Sequence, residues 1–178
     1  MKVAFVSGRF EPIHKGHQLL IDEAFKLEKN VAILICSSQE SRTRQNPLSY
    51  EERKELIKKI YPKAIIIPVP DMGIGNNEKW GDFLLDTLRK YDCEPTFFVT
   101  GEEERRESWF RKEILKEMKI IKISRSKIVI SATKLRKDIR ENNINKIKEF
   151  LPQEIVDDVL KLQDIFVQSE KETFTKSI

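Results

Sequence analysis

The sequence predicts an α/β fold: a doubly wound parallel sheet, with further helices towards its C-terminal end. Three observations predict it. Val3–Val6, Val31–Cys36, Ala64–Pro68, Thr96–Thr100 and Ile120–Ile123 are short, β-branched or aromatic, and almost unbroken by polar residues, as parallel strands covered on both faces must be. Longer segments with apolar residues at helical spacing separate them, and such alternation packs as a parallel sheet with right-handed crossovers. After Ile123 the strand-like runs thin out and helical patterns take over.

Each element has its own justification. The first helix, His17–Leu27, carries Leu19, Leu20, Ala24 and Leu27 on one stripe. Ser49–Ile60 opens with Ser49 and Glu52 at the capping-box spacing and stops before Pro62. Trp80–Tyr91 carries Leu84, Leu85 and Leu88. A fourth helix is expected over Arg105–Met118, and a short strand-like run over Lys127–Ile130. Thr133–Glu141 and Pro152–Val167 read as helices, and the polar stretch Gln168–Ile178 as a frayed tail. No repeat or linker interrupts the chain. The expectation is a single domain over residues 1–178, with an α/β core (1–130), a helical part (131–167) and the tail (168–178).

Composition excludes several classes. Lys and Arg number 33 against 29 Asp and Glu, a formal charge of +4 with the signs interleaved, which argues for a solvated surface rather than a nucleic-acid stripe. Cys36 and Cys93 form no CxxC pair and no cluster with histidine, so neither a disulfide framework nor a zinc site is expected. The opening apolar stretch ends at Ser7-Gly8, too soon for a signal peptide, and no apolar run is long enough to span a bilayer. A cytoplasmic protein without membrane or nucleic-acid partners is expected.

The strongest chemical signal is the string GRFEPIHKGH, Gly8 to His17, between the first strand and the first helix. In open α/β sheets ligands bind there, outside the carboxyl ends of the strands. Gly8 permits a tight turn, Gly16 permits close backbone approach, and the helix start offers free N–H groups to an anion. The chain has 2 histidines, His14 and His17, and both lie in this loop beside Arg9, Phe10 and Lys15. Surface histidines in a glycine turn would be the bland account, and a two-histidine metal site a further one, but no carboxylate or Cys spacing completes the latter. A second loop, Ile130 to Arg136, offers Ser131 as a helix N-cap, with Thr133 and Arg136 three apart on one face. A hydroxyl, backbone N–H groups and a guanidinium could there meet one anion, although an ordinary capped basic helix would read the same way.

These two strings resemble the HxGH nucleotidyltransferase superfamily, and GRFEPIHKGH in particular resembles archaeal-type nicotinamide-nucleotide adenylyltransferases, which typically read GRFQPFHKGH. Ser131, Thr133 and Arg136 match that family's ISGTxIR motif, with Ala132 in the glycine position. Ser38, Gln39, Ser41, Thr43, Asn46 and Pro47 match its SAQxSHTxxNPF segment, with Arg42 in the His position. Asn77 and Trp80 fit its Asp…Asn…Trp loop, in which Trp stacks on nicotinamide; without the resemblance, Trp80 at a helix start reads as packing. Gly101 falls in the place of its SGNP string, but Glu102 replaces the Asn, and Glu103 and Glu104 read as an acidic solvated turn.

The resemblance implies a Rossmann-like fold and transfer of AMP from ATP to nicotinamide mononucleotide, giving NAD and pyrophosphate. It implies His14, His17 and Arg136 as catalytic groups. It assigns substrate contacts to Gly8, Arg9, Phe10, Lys15, Gly16, Ser38, Gln39, Arg42, Arg44, Asn46, Asn77, Trp80, Gly101, Ser131 and Thr133, with Arg53 a further basic candidate near the phosphates. Mg²⁺ would be carried by the ATP phosphates without protein ligands, and a homo-oligomer is expected. The competing readings are transfer to another phosphate-bearing acceptor (phosphopantetheine, an FMN precursor, or glycerol phosphate with CTP), a non-catalytic nucleotide-binding regulator, and an RNA-binding module, for which the aromatic and basic platform is missing.

Overall fold

The computed structural model describes residues 1–73, 75–124 and 130–175, with side chains to residue 171. Five parallel strands, β1 (Lys2–Gly8), β2 (Val31–Cys36), β3 (Ile65–Val69), β4 (Glu94–Gly101) and β5 (Lys119–Ile123), form one sheet in the order β3-β2-β1-β4-β5. The chain winds outwards from β1 through β2 to β3, then returns to β4 on the other side of β1. The gap between β1 and β4 is therefore the topological switch point, where the loops at the carboxyl ends diverge and leave a crevice.

The period-two alternation of the strands divides the core into two layers. Ala4, Val6, Ile33, Ile35 and Val99 face α1 (Lys15–Leu27), α2 (Tyr50–Ile60) and the C-terminal helices. Val3, Phe5, Leu34, Ile67 and Phe98 face α3 (Asn77–Lys90) and the segment that follows β4. Phe5 stacks on Phe98 with ring centres 4.6 Å apart, and Phe110 closes on both edge-on. The capping box read at Ser49 is present: Ser49 Oγ accepts the Glu52 N–H, and the Glu52 carboxylate accepts the Ser49 N–H at 2.7 Å.

Three stretches differ from expectation. Arg105–Met118 is not one helix but a 3-10 turn at Arg106–Trp109 and the short α4 (Ile114–Glu117); Trp109 is drawn onto Phe98, centres 6.1 Å apart, which breaks the helical path. Pro152–Val167 divides into a 3-10 turn at Gln153–Ile155, α7 (Val156–Lys161) and α8 (Gln163–Thr175). Helix α8 continues to Thr175 where a frayed tail was expected from Gln168, because Phe166 and Ser169 are buried against the body. Between α5 (Ala132–Arg140) and α7 lies α6 (Ile144–Phe150), which the sequence reading missed. The strand-like run expected at Lys127–Ile130 lies, apart from Ile130, outside the described residues. Among the described residues no helix is long and apolar enough to cross a membrane.

Candidate active site

The loop from β1 to α1 is built around a buried ring. Phe10 has a positive φ of 54° and is 1% exposed. A Cβ on Gly8 would come 3.3 Å from the Phe10 ring, so a larger residue there would push the ring out of place. Above Phe10 sit the two histidines. The Phe10 and His17 ring centres are 4.7 Å apart, and His14 stacks on His17 at 3.7 Å with the planes 21° apart. His14 is the N-cap of α1. Its backbone N–H donates to His17 Nδ1 at 3.3 Å, which reserves Nδ1 as an acceptor and leaves the proton of neutral His17 on Nε2. His17 is thereby oriented as a donor, the role a phosphate oxygen requires.

Beneath the loop lies a buried carboxyl–guanidinium contact. Glu11 Oε1 is 3.1 Å from Arg53 Nε, with both side chains essentially inaccessible, and Glu11 Oε2 accepts the Leu48 N–H at 3.0 Å. Burial pushes the Glu11 carboxyl up to about 8, against the lowering influence of Arg53, the Leu48 N–H, Arg136 and Arg9. Arg53 also donates to the carbonyls of Arg9, Cys36 and Ser37 at 2.9–3.0 Å, and more loosely to those of Ser49 and Glu40. Expected near the phosphates, Arg53 instead spends its donors inside the protein and holds together the loops that form the site.

The C-terminal part supplies the other wall. Ser131 caps α5, its Oγ accepting the Lys134 N–H at 3.3 Å. One turn on, Arg136 is 5% exposed; its Nη1 donates to the Glu11 carbonyl at 3.2 Å and its Nη2 to Thr133 Oγ1 at 3.3 Å. The two strings read as phosphate loops thus meet although 125 positions separate the bonded residues. Burial lowers the Arg136 pKa, Arg9, Arg140 and Arg44 lower it further by like-charge repulsion, and Glu11 opposes them. Those arginines therefore surround Arg136 in one cationic cluster at the loop that carries the histidines.

The middle loops are placed with differing directness. Gln39 ties the loop after β2 to the loop after β3: its side chain accepts the Asp71 N–H at 2.9 Å and donates to the Asp71 carbonyl at 3.4 Å. Ser38 donates its N–H to Val69. Asn46 is buried, its N–H bonded to Thr43 Oγ1, and Arg9 reaches Gln45 at 3.5 Å. Trp80 walls a cavity of about 350 Å³ with Asp71, Met72, Gly73 and Gly75. Asn77 donates to Ser108 Oγ at 3.0 Å.

Two residues expected to hold substrate make protein contacts in this structure. Arg42 makes a two-pronged pair with Glu52, both contacts 2.7 Å, and donates to the Pro47 carbonyl at 2.9 Å. Lys15 donates to the Glu149 carbonyl at 2.7 Å and the Lys148 carbonyl at 3.4 Å, capping the last turn of α6. Gly16 is buried in α1, and Gly101 ends β4 opposite Ile123.

The turn after β4 holds what the sequence reading missed. Glu104, expected to be solvated, accepts from Thr100 Oγ1 at 2.9 Å and pairs with Arg106 at 3.1 Å. Arg106 donates to the Ser7 carbonyl and hydroxyl at 2.9 and 3.0 Å, bridging β4 to β1 at the switch point, and lies 4.8 Å over the Trp109 ring. Trp109 meets Trp80 edge-on at 6.3 Å. Gly81 permits this approach, since a Cβ there would fall 1.8 Å from the Trp109 carbonyl oxygen. No local spacing marks Arg106 or Trp109; only their place on a loop at the ligand edge could have. Among the described residues no group of three or more His, Cys, Asp and Glu converges as for a metal ion.

The model of the cytidylyltransferase-like family matches residues 5–168. The nicotinamide-nucleotide adenylyltransferase of Thermococcus onnurineus is 26% identical over 172 residues, covering 89% of this chain and 82% of that one. Its counterpart from Thermococcus kodakarensis is 30% identical over 128 residues, 64% of this chain and 67% of that one. Among solved structures, a bifunctional NMN adenylyltransferase/ADP ribose pyrophosphatase from Francisella tularensis, complexed with AMP and a manganese ion, superimposes with a TM-score of 0.71 at 21% identity. That match covers 99% of this chain but only 54% of the Francisella protein, so the chain spans about half its length; at this identity the likeness speaks to the fold.

Proposed function

The chain belongs to the cytidylyltransferase-like family, and from that premise we propose that it transfers AMP from ATP to nicotinamide mononucleotide, forming NAD and releasing pyrophosphate. The observation that carries this reading is the meeting of Arg136 with the Glu11 carbonyl, which joins the histidine loop to the Thr133–Arg136 turn in one cationic crevice. Relatives that align with 89% and 64% of this chain bear the name of this activity.

In the proposed reaction an oxygen of the acceptor's 5′-phosphate attacks the α-phosphorus of ATP in line. The new P–O bond forms as the bond from the α-phosphorus to the bridging oxygen breaks, and pyrophosphate leaves with its electron pair. No side chain is adenylylated; the protein positions the reactants and meets the charge that spreads over the phosphoryl oxygens. His17 Nε2 donates to the α-phosphate, His14 stacks behind it, and Arg9, Arg44, Thr133 and Arg136 meet the β- and γ-groups. Lys15, should it release the α6 carbonyls, would join them. A divalent ion, Mg²⁺ by preference, would be bound through the phosphates and water. Trp80 and Trp109 offer an aromatic wall for the pyridine ring. A cytoplasmic homo-oligomer completes the proposal.

The test is pyrophosphate release with ATP or CTP against a panel of nicotinamide mononucleotide, phosphopantetheine and glycerol phosphate. Turnover specific to ATP with nicotinamide mononucleotide is expected. Nucleotide binding without pyrophosphate would instead support the regulator reading, and turnover with another acceptor a different specificity. His17→Ala should lower kcat by well over tenfold with an unchanged circular dichroism spectrum; near-normal turnover would remove His17 from the chemistry.

A further inference from the structure

Helix α8 is docked firmly enough to place a side chain. Phe166 is fully buried and Ser169 is 2% exposed, its hydroxyl donating to the Ile165 carbonyl at 2.7 Å. Gln163 donates to the carbonyls of Ile139 and Arg140 at 3.0 and 3.4 Å, fixing the start of α8 against the end of α5. Glu170, next along, lies between two arginines. Its Oε2 is 2.6 Å from Arg140 Nε and its Oε1 is 3.2 Å from Arg44 Nε.

Arg140 follows Arg136 by one helical turn and so shares its face of α5. Arg44 comes from the loop after β2, next to Gln45, which Arg9 of the histidine loop reaches at 3.5 Å. Arg9, Arg44, Arg53, Arg136 and Arg140 gather here, and among the described residues the carboxylates paired with them are Glu11 and Glu170. Glu11 is buried and paired with Arg53, whereas the Glu170 side chain is 27% exposed on the last helix. Two guanidiniums on one carboxylate is also the arrangement that receives one phosphate group. A polyphosphate brings several negative charges against one, and leaves Glu170 free to turn into solvent.

We infer that Arg140 is a further phosphate contact and that Glu170 is an internal anion holding the Arg44–Arg140 pair until a polyphosphate takes its place. The inference rests on the nucleotidyl-transfer reading of the site. A carboxylate that merely fastened α8 to α5 would support stability alone.

The two roles separate by calorimetric titration of the full chain with inorganic tripolyphosphate at low ionic strength. Glu170→Gln should bind it roughly two- to five-fold more tightly, the size expected for losing an ion pair this exposed, and should lower the KM for ATP without changing kcat. Arg140→Gln should bind it more weakly. In the wild-type chain, which needs no variant to fold, tripolyphosphate should speed amide exchange in the last turns of α8 while slowing it in the loop after β2. Equal or weaker binding by Glu170→Gln, unchanged binding by Arg140→Gln, or no change in α8 exchange overturns the inference while the reading of the site stands. A wild-type chain that binds no tripolyphosphate overturns both.

Discussion

At the scale of single residues, Glu11 shows how a small departure changes the physics of a motif. Where the resembling family has Gln, this chain carries a carboxyl that burial raises to about 8. In an unfolded chain a Glu titrates near ~4.3. The folded state therefore holds that proton more tightly, and its contribution to stability is complete below the unfolded value and lost as pH rises from there through about 8. Glu11→Gln removes that titration while keeping the size of the side chain. The stability of wild type relative to Glu11→Gln should fall steadily between pH 5 and pH 8, read from urea midpoints at each pH; a relative rise would mean that Arg53 holds the carboxylate ionised. The motifs that carry the histidines, Ser131, Thr133 and Arg136 stand out in the sequence because each sits within a few residues, and the fold brings them to one crevice. The Glu11–Arg53 pair was not, because its partners come from different elements and no spacing announces them. The protein contacts of Arg42 and Lys15 were hidden for the complementary reason: a cation in a motif reads the same whether it serves a ligand or a neighbouring carbonyl or carboxylate.

At the scale of elements, the sheet was legible because apolar β-branched runs have few alternatives once both faces are covered. Helices α1 to α3 were legible because their apolar stripes, and the capping box of α2, are local; the starts of α1 at Lys15 and α3 at Asn77, earlier than the stripes alone suggest, were not. The segment after β4 was not, since Trp109 and Phe110 answer to Phe5 and Phe98 rather than to their neighbours in sequence. Gly81 carries the cost of that arrangement. The atom a Cβ would strike is backbone, so Gly81→Ala must shift α3 away from the 3-10 turn rather than move a flexible side chain. It should cost about 1–3 kcal/mol in urea denaturation. It should also raise the KM for the acceptor more than the KM for ATP, because Trp80 and Trp109 move while the Arg136 side of the crevice does not. Equal changes in both would detach the tryptophans from the acceptor.

At the scale of the whole molecule, the chain brings its first loop and its fifth helix together through one layer of the core, and the C-terminal helices are the part of the fold that the sequence described least well. Their boundaries follow from packing against α1, α2 and the sheet, not from their own periodicity, so α6 was overlooked and α8 was cut short. The Arg53 hub carries a dynamic consequence. One guanidinium joins carbonyls of the histidine loop, the end of β2, the loop beyond it and the start of α2. Segments tied through one buried group cannot open one at a time: they form a single cooperative unit whose amides share one opening free energy. Native-state hydrogen exchange should find the protected amides around residues 9–17, 36–40 and 49–53 converging on a common value, and Arg53→Met should split that value into separate, lower ones. A crevice so constructed is either wholly assembled or wholly lost, so partly unfolded forms of this protein should carry no residual fraction of its activity.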